Sequence, residues 1–213
     1  PLTLTVFEGA SGNYRHPKAV PGAQVKAVGF PEWAQRADGD GNVRFEGVPA
    51  DSELIIEASA EGYHPSRTII PVSAAGGYAP IFLVQRDKVD SITRFFTKRP
   101  QQAGKGILLG RVFDPETRAP KKGESLELSG RKGQALYMNA LPDTNLKETA
   151  GTGLFAFFNV SPSYRALKRS GSPFSLLFNV RPDEAQYVEW GRGGKRKIVG
   201  SIEDPFEQRG RVA

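Results

Sequence analysis

Over the first 84 residues apolar and polar positions alternate in short bursts, separated by glycine, proline and acidic turn residues. Leu2, Leu4 and Val6 alternate with threonines, Ala23, Val25 and Ala27 with Gln24 and Lys26, and Val43 and Phe45 flank Arg44. A period of two buries one face of a segment and exposes the other, so these are strands. With 54–60, 67–72 and 81–84 they make six or seven strands, the density of a β-sandwich. The strands at 23–28 and 43–45, joined through the turn-dense Ala37-Asp38-Gly39-Asp40-Gly41-Asn42, are expected to pair or pack on one another. The alternation breaks at 87–99, where Asp90 is placed to cap a helical turn and Val89, Ile92, Phe95 and Phe96 share one face. Residues 99–106 then read as a linker.

Strands resume with Ile107-Leu108-Leu109-Gly110-Arg111-Val112-Phe113. The segment 125–128 is the counterpart of 23–28, 173–180 is a further strand, 186–190 and 197–202 are weaker ones, and 207–213 is expected to fray. One phrase occurs twice. Gly41-Asn42-Val43-Arg44-Phe45-Glu46-Gly47-Val48-Pro49 is echoed by Gly153-Leu154-Phe155-Ala156-Phe157-Phe158-Asn159-Val160-Ser161-Pro162. In each, a turn glycine opens a strand that a Val closely followed by Pro ends, and the copies lie about one small sandwich apart.

The first half carries a resemblance. Pro21-Gly22-Ala23-Gln24-Val25, Asp38-Gly39-Asp40-Gly41-Asn42, Gly47-Val48-Pro49 and Glu61-Gly62-Tyr63 stand in an order that resembles the carboxypeptidase regulatory-like domain. That domain is a transthyretin-like (prealbumin-like) β-sandwich, similar to the collagen-adhesin B-type modules of bacterial surface proteins. From residue 106 the chain resembles the same family through Gly110-Arg111-Val112-Phe113-Asp114, Gly123-Glu124-Ser125-Leu126-Glu127-Leu128 and Gly153-Leu154-Phe155-Ala156-Phe157, without a counterpart of the Glu-Gly-Tyr turn. The resemblance implies an all-β fold of two tandem Ig/transthyretin-like β-sandwich domains joined by a short helical connector. The expected units are 1–86, a helix and linker at 87–105, and a divergent sandwich at 106–213. It also implies a non-enzymatic structural or protein-interaction module of a bacterial envelope, cell-surface or secreted assembly. Protein partners and a periplasmic, cell-surface or secreted location follow from that implication, and no cofactor does.

Composition agrees with many short elements joined by turns: 24 Gly and 16 Pro stand in 213 residues, with 13 Phe to fill cores. The absence of cysteine excludes disulfides, thiolate metal sites and cysteine nucleophiles. No apolar run reaches the roughly 18 residues of a membrane-spanning helix. The chain opens at Pro1 directly in a strand pattern, which suggests a processed or trimmed start. A net charge of +6 admits acidic partners, though dispersed charge reads first as a solubility feature.

Few residues offer chemistry. Asp38, Asp40 and Asn42 present oxygens suited to Ca²⁺, but without the trailing glutamate of a calcium loop they read more simply as turn formers. Some modules of the related collagen-adhesin group carry a lysine-to-Asn/Asp crosslink, for which Lys26 and Glu57 invite comparison. The first strand, where the resemblance puts the reactive lysine, has none. His16 and His64 have no acid or second ligand at a recognisable spacing and read as solvated loop residues. The glycine pattern at 151–156 precedes a strand and is not a dinucleotide fingerprint. Tyr187 and Trp190 precede the basic run containing Arg192, Lys195, Arg196 and Lys197, which is the grammar of a carbohydrate- or anionic-polymer-binding site, Arg181, Arg209 and Arg211 joining it if the tail is ordered. Trp33, placed in a loop, either stacks on a sugar ring or covers the core. Nucleic acid is not an expected partner.

Overall fold

The computed structural model describes residues 1–9, 16–74, 76–130, 135–139, 143–173 and 175–191. Among the described residues eight strands come from the first half: β1 (Leu2–Glu8), β2 (Gln24–Ala27), β3 (Phe30–Arg36), β4 (Asn42–Phe45), β5 (Ser52–Ser59), β6 (Tyr63–His64), β7 (Ser66–Val72) and β8 (Gly77–Gln85). They form two sheets, β4-β1-β8-β6 and β3-β2-β5-β7. The alternating residues meet between the sheets: Leu2, Leu4, Val6, Val43, Phe45, Ile81 and Leu83 from one, Val25, Leu54, Ile56, Ile70 and Val72 from the other. The segments at 23–28 and 43–45 therefore lie in opposite sheets and pack face to face. Alternation had not marked β3, whose residues are nearly all exposed.

After α1 (Arg86–Thr97), the second half supplies β9 (Gly106–Val112), β10 (Leu126–Leu128), β11 (Leu136–Met138), β12 (Leu154–Val160), β13 (Ser163–Arg169), β14 (Ser175–Val180) and β15 (Ala185–Trp190). Their sheets are β10-β13-β14 and β11-β12-β9-β15, closed over Leu108, Val112, Leu126, Tyr137, Phe155, Phe157, Leu167, Phe178 and Val188. The fold is all-β, two tandem sandwiches with a short connecting helix.

The repeated phrase marks equivalent places. β1 pairs antiparallel with β4 and parallel with β8, and β9 pairs antiparallel with β12 and parallel with β15. Val6 N–H donates to the Gly41 carbonyl at 2.8 Å, and Val112 N–H to that of Gly153 at 2.9 Å. Both glycines have positive φ, +81° and +67°, and an added Cβ would lie 2.7 Å from the Val6 oxygen at Gly41 and would press on the Val112 oxygen at Gly153. Left-handed backbone and close approach to a carbonyl together require glycine there. The copies diverge at two strands: β6, paired with β8, has no counterpart among the described residues of the second copy, and the third strand joins a different sheet in each. β3 extends the sheet of β2, whereas β11, in the same place along the chain, crosses to pair with β12.

The two sandwiches meet over a third apolar cluster. One face of β11-β12-β9-β15 covers the second core, and the other presents Ile107, Leu109, Leu154, Ala156, Phe158 and Tyr187 to Phe82 and Val84 of β8 and Val89 of α1. Both faces of this sheet are buried, which explains why β9 and β12 carry unbroken apolar runs, at 107–109 and 154–158, rather than alternating ones. α1 begins directly at the end of β8, with Gln85 at its N-cap and no side-chain cap, so Asp90 lies inside the helix and does not cap it. Val89, Ile92 and Phe96 face the junction, while Phe95 is exposed.

The stretch that read as a linker is tied to the second sandwich. Asn159 N–H donates to Gln101 Oε1 at 3.0 Å, Gln102 N–H to Asn159 Oδ1 at 2.6 Å, Gly104 N–H to Asp183 Oδ1 at 2.8 Å, and Lys105 Nζ to Ser161 Oγ at 3.0 Å.

Candidate functional site: the junction and its polar rim

Polar side chains gather around the apolar junction. β1 places Leu2, Leu4, Val6 and Glu8 on its inward face, and the last of these is a carboxylate that is 5% exposed. Burying a carboxylate requires partners. Lys88 of α1 donates to Glu8 Oε1, Gln85 Nε2 donates to Oε2 at 3.0 Å, and the Tyr63 hydroxyl donates to Oε2 at 3.5 Å. This cluster fastens the start of the helix to the first sandwich. Beside it His64 Nδ1 lies 3.1 Å from the Asp183 carbonyl oxygen in the loop before β15, a hydrogen bond between the sandwiches. Burial pushes the His64 imidazole below its ordinary pKa, against the opposing pull of that carbonyl.

A second polar group crosses the outer face of β3-β2-β5-β7. The register sets Lys26, Glu57 and Arg67 in one row across β2, β5 and β7. Lys26 Nζ is 2.7 Å from Glu57 Oε2, and Arg67 pairs with the other oxygen of Glu57. Arg67 Nε also lies 3.6 Å from Oε1 of Glu184 in the second sandwich. Burial works against the charged form of Glu57, but the hydrogen bond from Lys26 and the charge of Arg67 outweigh it and hold the carboxyl below the usual carboxylate range. The row floors a groove of about 490 Å³ that Gln24, Arg36, Ser59, Pro65 and Glu184 help to line. A carboxylate held ionised between two cations is a structural tie, poorly suited to moving protons near neutral pH.

The residues singled out from sequence do not converge. Trp33 is on β3, not in a loop; its Nε1 donates to the Glu46 carbonyl at 3.1 Å, its ring lies 4.8 Å from that of Phe30, and it packs on the first core. Trp190, at the end of β15, packs on the second core with the Arg169 guanidinium 5.6 Å from its ring centre. Tyr187 is 3% exposed and lies against Phe82 in the junction, with ring centres 4.5 Å apart. It is therefore not an exposed stacking platform, because the odd positions of β15 face the first sandwich. Arg192, Lys195, Arg196, Lys197, Arg209, Arg211 and the segments 197–202 and 207–213 lie outside the described residues.

Asp38 Oδ1 accepts from the backbone of Asp40 at 3.0 Å and of Asn42 at 2.7 Å, and Asn42 Oδ1 accepts from Thr5 at 2.7 Å. These oxygens are used in building the turn. No group of three metal-ligating side chains occurs among the described residues. His64 is buried in β6 rather than solvated. Sequence reading missed Tyr63, Gln85, Lys88, Arg67 and Glu184; the usable signal was Glu8, a charge at an inward position of an alternating strand.

No family model and no curated protein matches the chain. Among solved structures it is similar to the Bacillus anthracis TIE protein at 10% identity and a TM-score of 0.29, over 89% of this chain and 32% of that one. It is similar to the shaft pilin SpaA of Lactobacillus rhamnosus GG at 11% identity and a TM-score of 0.28, over 92% of this chain and 98% of that one. Similarity to BcpA, the major pilin subunit of Bacillus cereus, is 14% in identity with a TM-score of 0.26, over 71% of this chain and 42% of that one. Likenesses this low assign no function.

Proposed function

We propose that the chain is a non-catalytic structural module of a cell-surface or secreted assembly, in which two sandwiches of the carboxypeptidase regulatory-like, transthyretin-like type act as one rigid unit between protein partners. The observation that carries this reading is the sheet β11-β12-β9-β15, apolar on both faces, one against its own sandwich and the other against its neighbour. An interface of that kind resembles a domain core rather than a polar, mobile inter-domain contact. The charged row Lys26–Glu57–Arg67–Glu184 and the His64–Asp183 hydrogen bond add orientation at its rim. The division at 86 and 105 belongs to the same reading. Residual dipolar couplings of the full chain test it: both sandwiches should fit a single alignment tensor. Two distinct tensors would show sandwiches that move independently and sink the rigid-unit reading.

A further inference from the structure

Among the described residues, the first and last strands of each sandwich are neighbours and run parallel. β1 pairs with β8 from Leu2↔Gly77 to Glu8↔Leu83, and β9 pairs with β15 from Ile107↔Ala185 to Val112↔Trp190, both without a shift in register. Hydrogen bonds close both ends of each ladder. Gly77 N–H donates to the Pro1 carbonyl at 3.2 Å and Gly9 N–H to that of Leu83 at 2.7 Å. Likewise Ile107 N–H donates to the Glu184 carbonyl at 3.0 Å and Phe113 N–H to that of Trp190 at 2.7 Å. Backbone groups of alternate residues point to opposite sides of a strand, so Gly77, Ala79, Ile81 and Leu83 serve the bonds to β1. Pro80, which has no N–H, faces away and removes nothing from the ladder.

A pull along the chain loads these ladders at opposite ends. It enters the first sandwich at Leu2, where β1 begins, and leaves at Gln85, where β8 runs straight into α1. The junction does not divert it, because Phe82 and Val84, the β8 residues that pack on the second sandwich, lie at that same end. In the second sandwich it enters at Gly106 and leaves at Trp190, again the start of one parallel strand and the end of its neighbour. The two strands are therefore drawn past each other lengthwise, and the bonds of the ladder must fail together. A slip of one residue would turn Leu2, Leu4 and Val6 out of the core, so β1 must travel two residues, about 6.6 Å, before its faces match again. A ladder pulled from one end would instead lose its bonds one at a time. We propose that the chain is a tension-bearing element, each sandwich resisting extension through the parallel ladder between its first and last strands. This function goes beyond the rigid-unit reading and stands without it, since each ladder lies within one sandwich.

Single-molecule force spectroscopy of the full chain tests this with two directions of pull on the same sandwich. The chain has no cysteine, so one introduced cysteine carries the second handle, the first being on the N-terminus. Asp87→Cys, exposed just beyond β8, draws β1 and β8 past each other. Tyr78→Cys, at a side chain 60% exposed and opposite Thr3 at the start of β8, peels the same ladder from one end. At one pulling speed the unfolding force through Asp87→Cys should be at least about twofold that through Tyr78→Cys, because forced unfolding follows the barrier along the direction pulled. Two variants separate this barrier from stability. Val6 N–H faces β4 and Gly9 N–H faces β8, so Thr3→Pro removes a bond to β8 and none to β4; it should lower the Asp87→Cys force. Val25→Ala, in the core but on the opposite sheet, should lower the melting temperature and leave that force nearly unchanged. Equal forces in the two directions overturn the proposal, as does an Asp87→Cys force that simply tracks melting temperature across the variants. The comparison of directions decides the matter even if Thr3→Pro fails to fold.

Discussion

Truncating Phe82 to alanine separates the strength of the junction from the strength of either sandwich. Phe82 is on the outward face of β8, so within the first sandwich alone its ring would lie in water; its burial to 9% exposure comes from the second sandwich and α1. Replacing a buried phenylalanine by alanine costs about 3–5 kcal/mol. The ring contact with Tyr187 belongs to the class of aromatic pairs that contribute about 0.5–1.5 kcal/mol beyond area burial. Nearly all of that loss falls on the coupling between sandwiches, because the first core does not contain this side chain. The assay uses the two tryptophans, one on each core. Trp190→Phe leaves Trp33 to report the first sandwich, and Trp33→Phe leaves Trp190 to report the second. In urea the two reporters should unfold together in the otherwise wild-type chain. With Phe82→Ala they should separate, the earlier transition losing about 3 kcal/mol, or roughly 12–24 °C in a thermal scan of a unit the size of one sandwich. Leu4→Ala, in the first core, should instead lower both transitions together. Coincident transitions in Phe82→Ala shifted by less than about 1 kcal/mol would refute the reasoning.

Three further outcomes follow from named contacts. Gly41→Ala and Gly153→Ala should each cost more than about 2 kcal/mol in chemical unfolding, since each meets a backbone carbonyl as well as a positive φ, whereas Gly47→Ala, at φ +68° with no atom within 4 Å, should cost only about 1 kcal/mol. Stability should fall on acidification in two stages. The depressed His64 makes the unfolded chain the better proton acceptor, so stability drops as pH falls below about 6.5, and the depressed Glu57 removes more below about 4.3. His64→Gln should flatten the first stage and Glu57→Gln the second, read from unfolding free energies between pH 8 and about pH 3. Heparin and glycan-array retention should be absent at physiological salt; retention that Trp190→Ala or Lys195→Ala abolishes would instead establish an anionic-polymer site around the basic run.

Much of the fold was legible because a strand with one wet face declares itself. Leu2-x-Leu4-x-Val6 and Val43-x-Phe45 could only be inward residues of a half-buried sheet, and Gly41 and Gly153, before the fourth strand of each copy, marked the turns. β3 and β13 escaped notice because their exposed or mixed faces leave no alternation to read. The site was less legible for a related reason: Tyr187 and Trp190 are three residues apart in sequence, but strand alternation and pairing with β9 send one to the junction and the other to the second core.

Sequence by itself determined the all-β class, the duplication and the two glycines on which it turns, since these depend on local geometry and periodicity. It also held the mark of the junction, the unbroken apolar runs at 107–109 and 154–158, which specify burial on both faces without saying against what. Only the tertiary structure decided that the second face belongs to β8 and α1, that a glutamate at the end of β1 would be met by Lys88 and Gln85, and that the third strand of each copy would join a different sheet. Burial is a demand that a segment makes alone, whereas the partner that satisfies it is chosen by how distant segments pack.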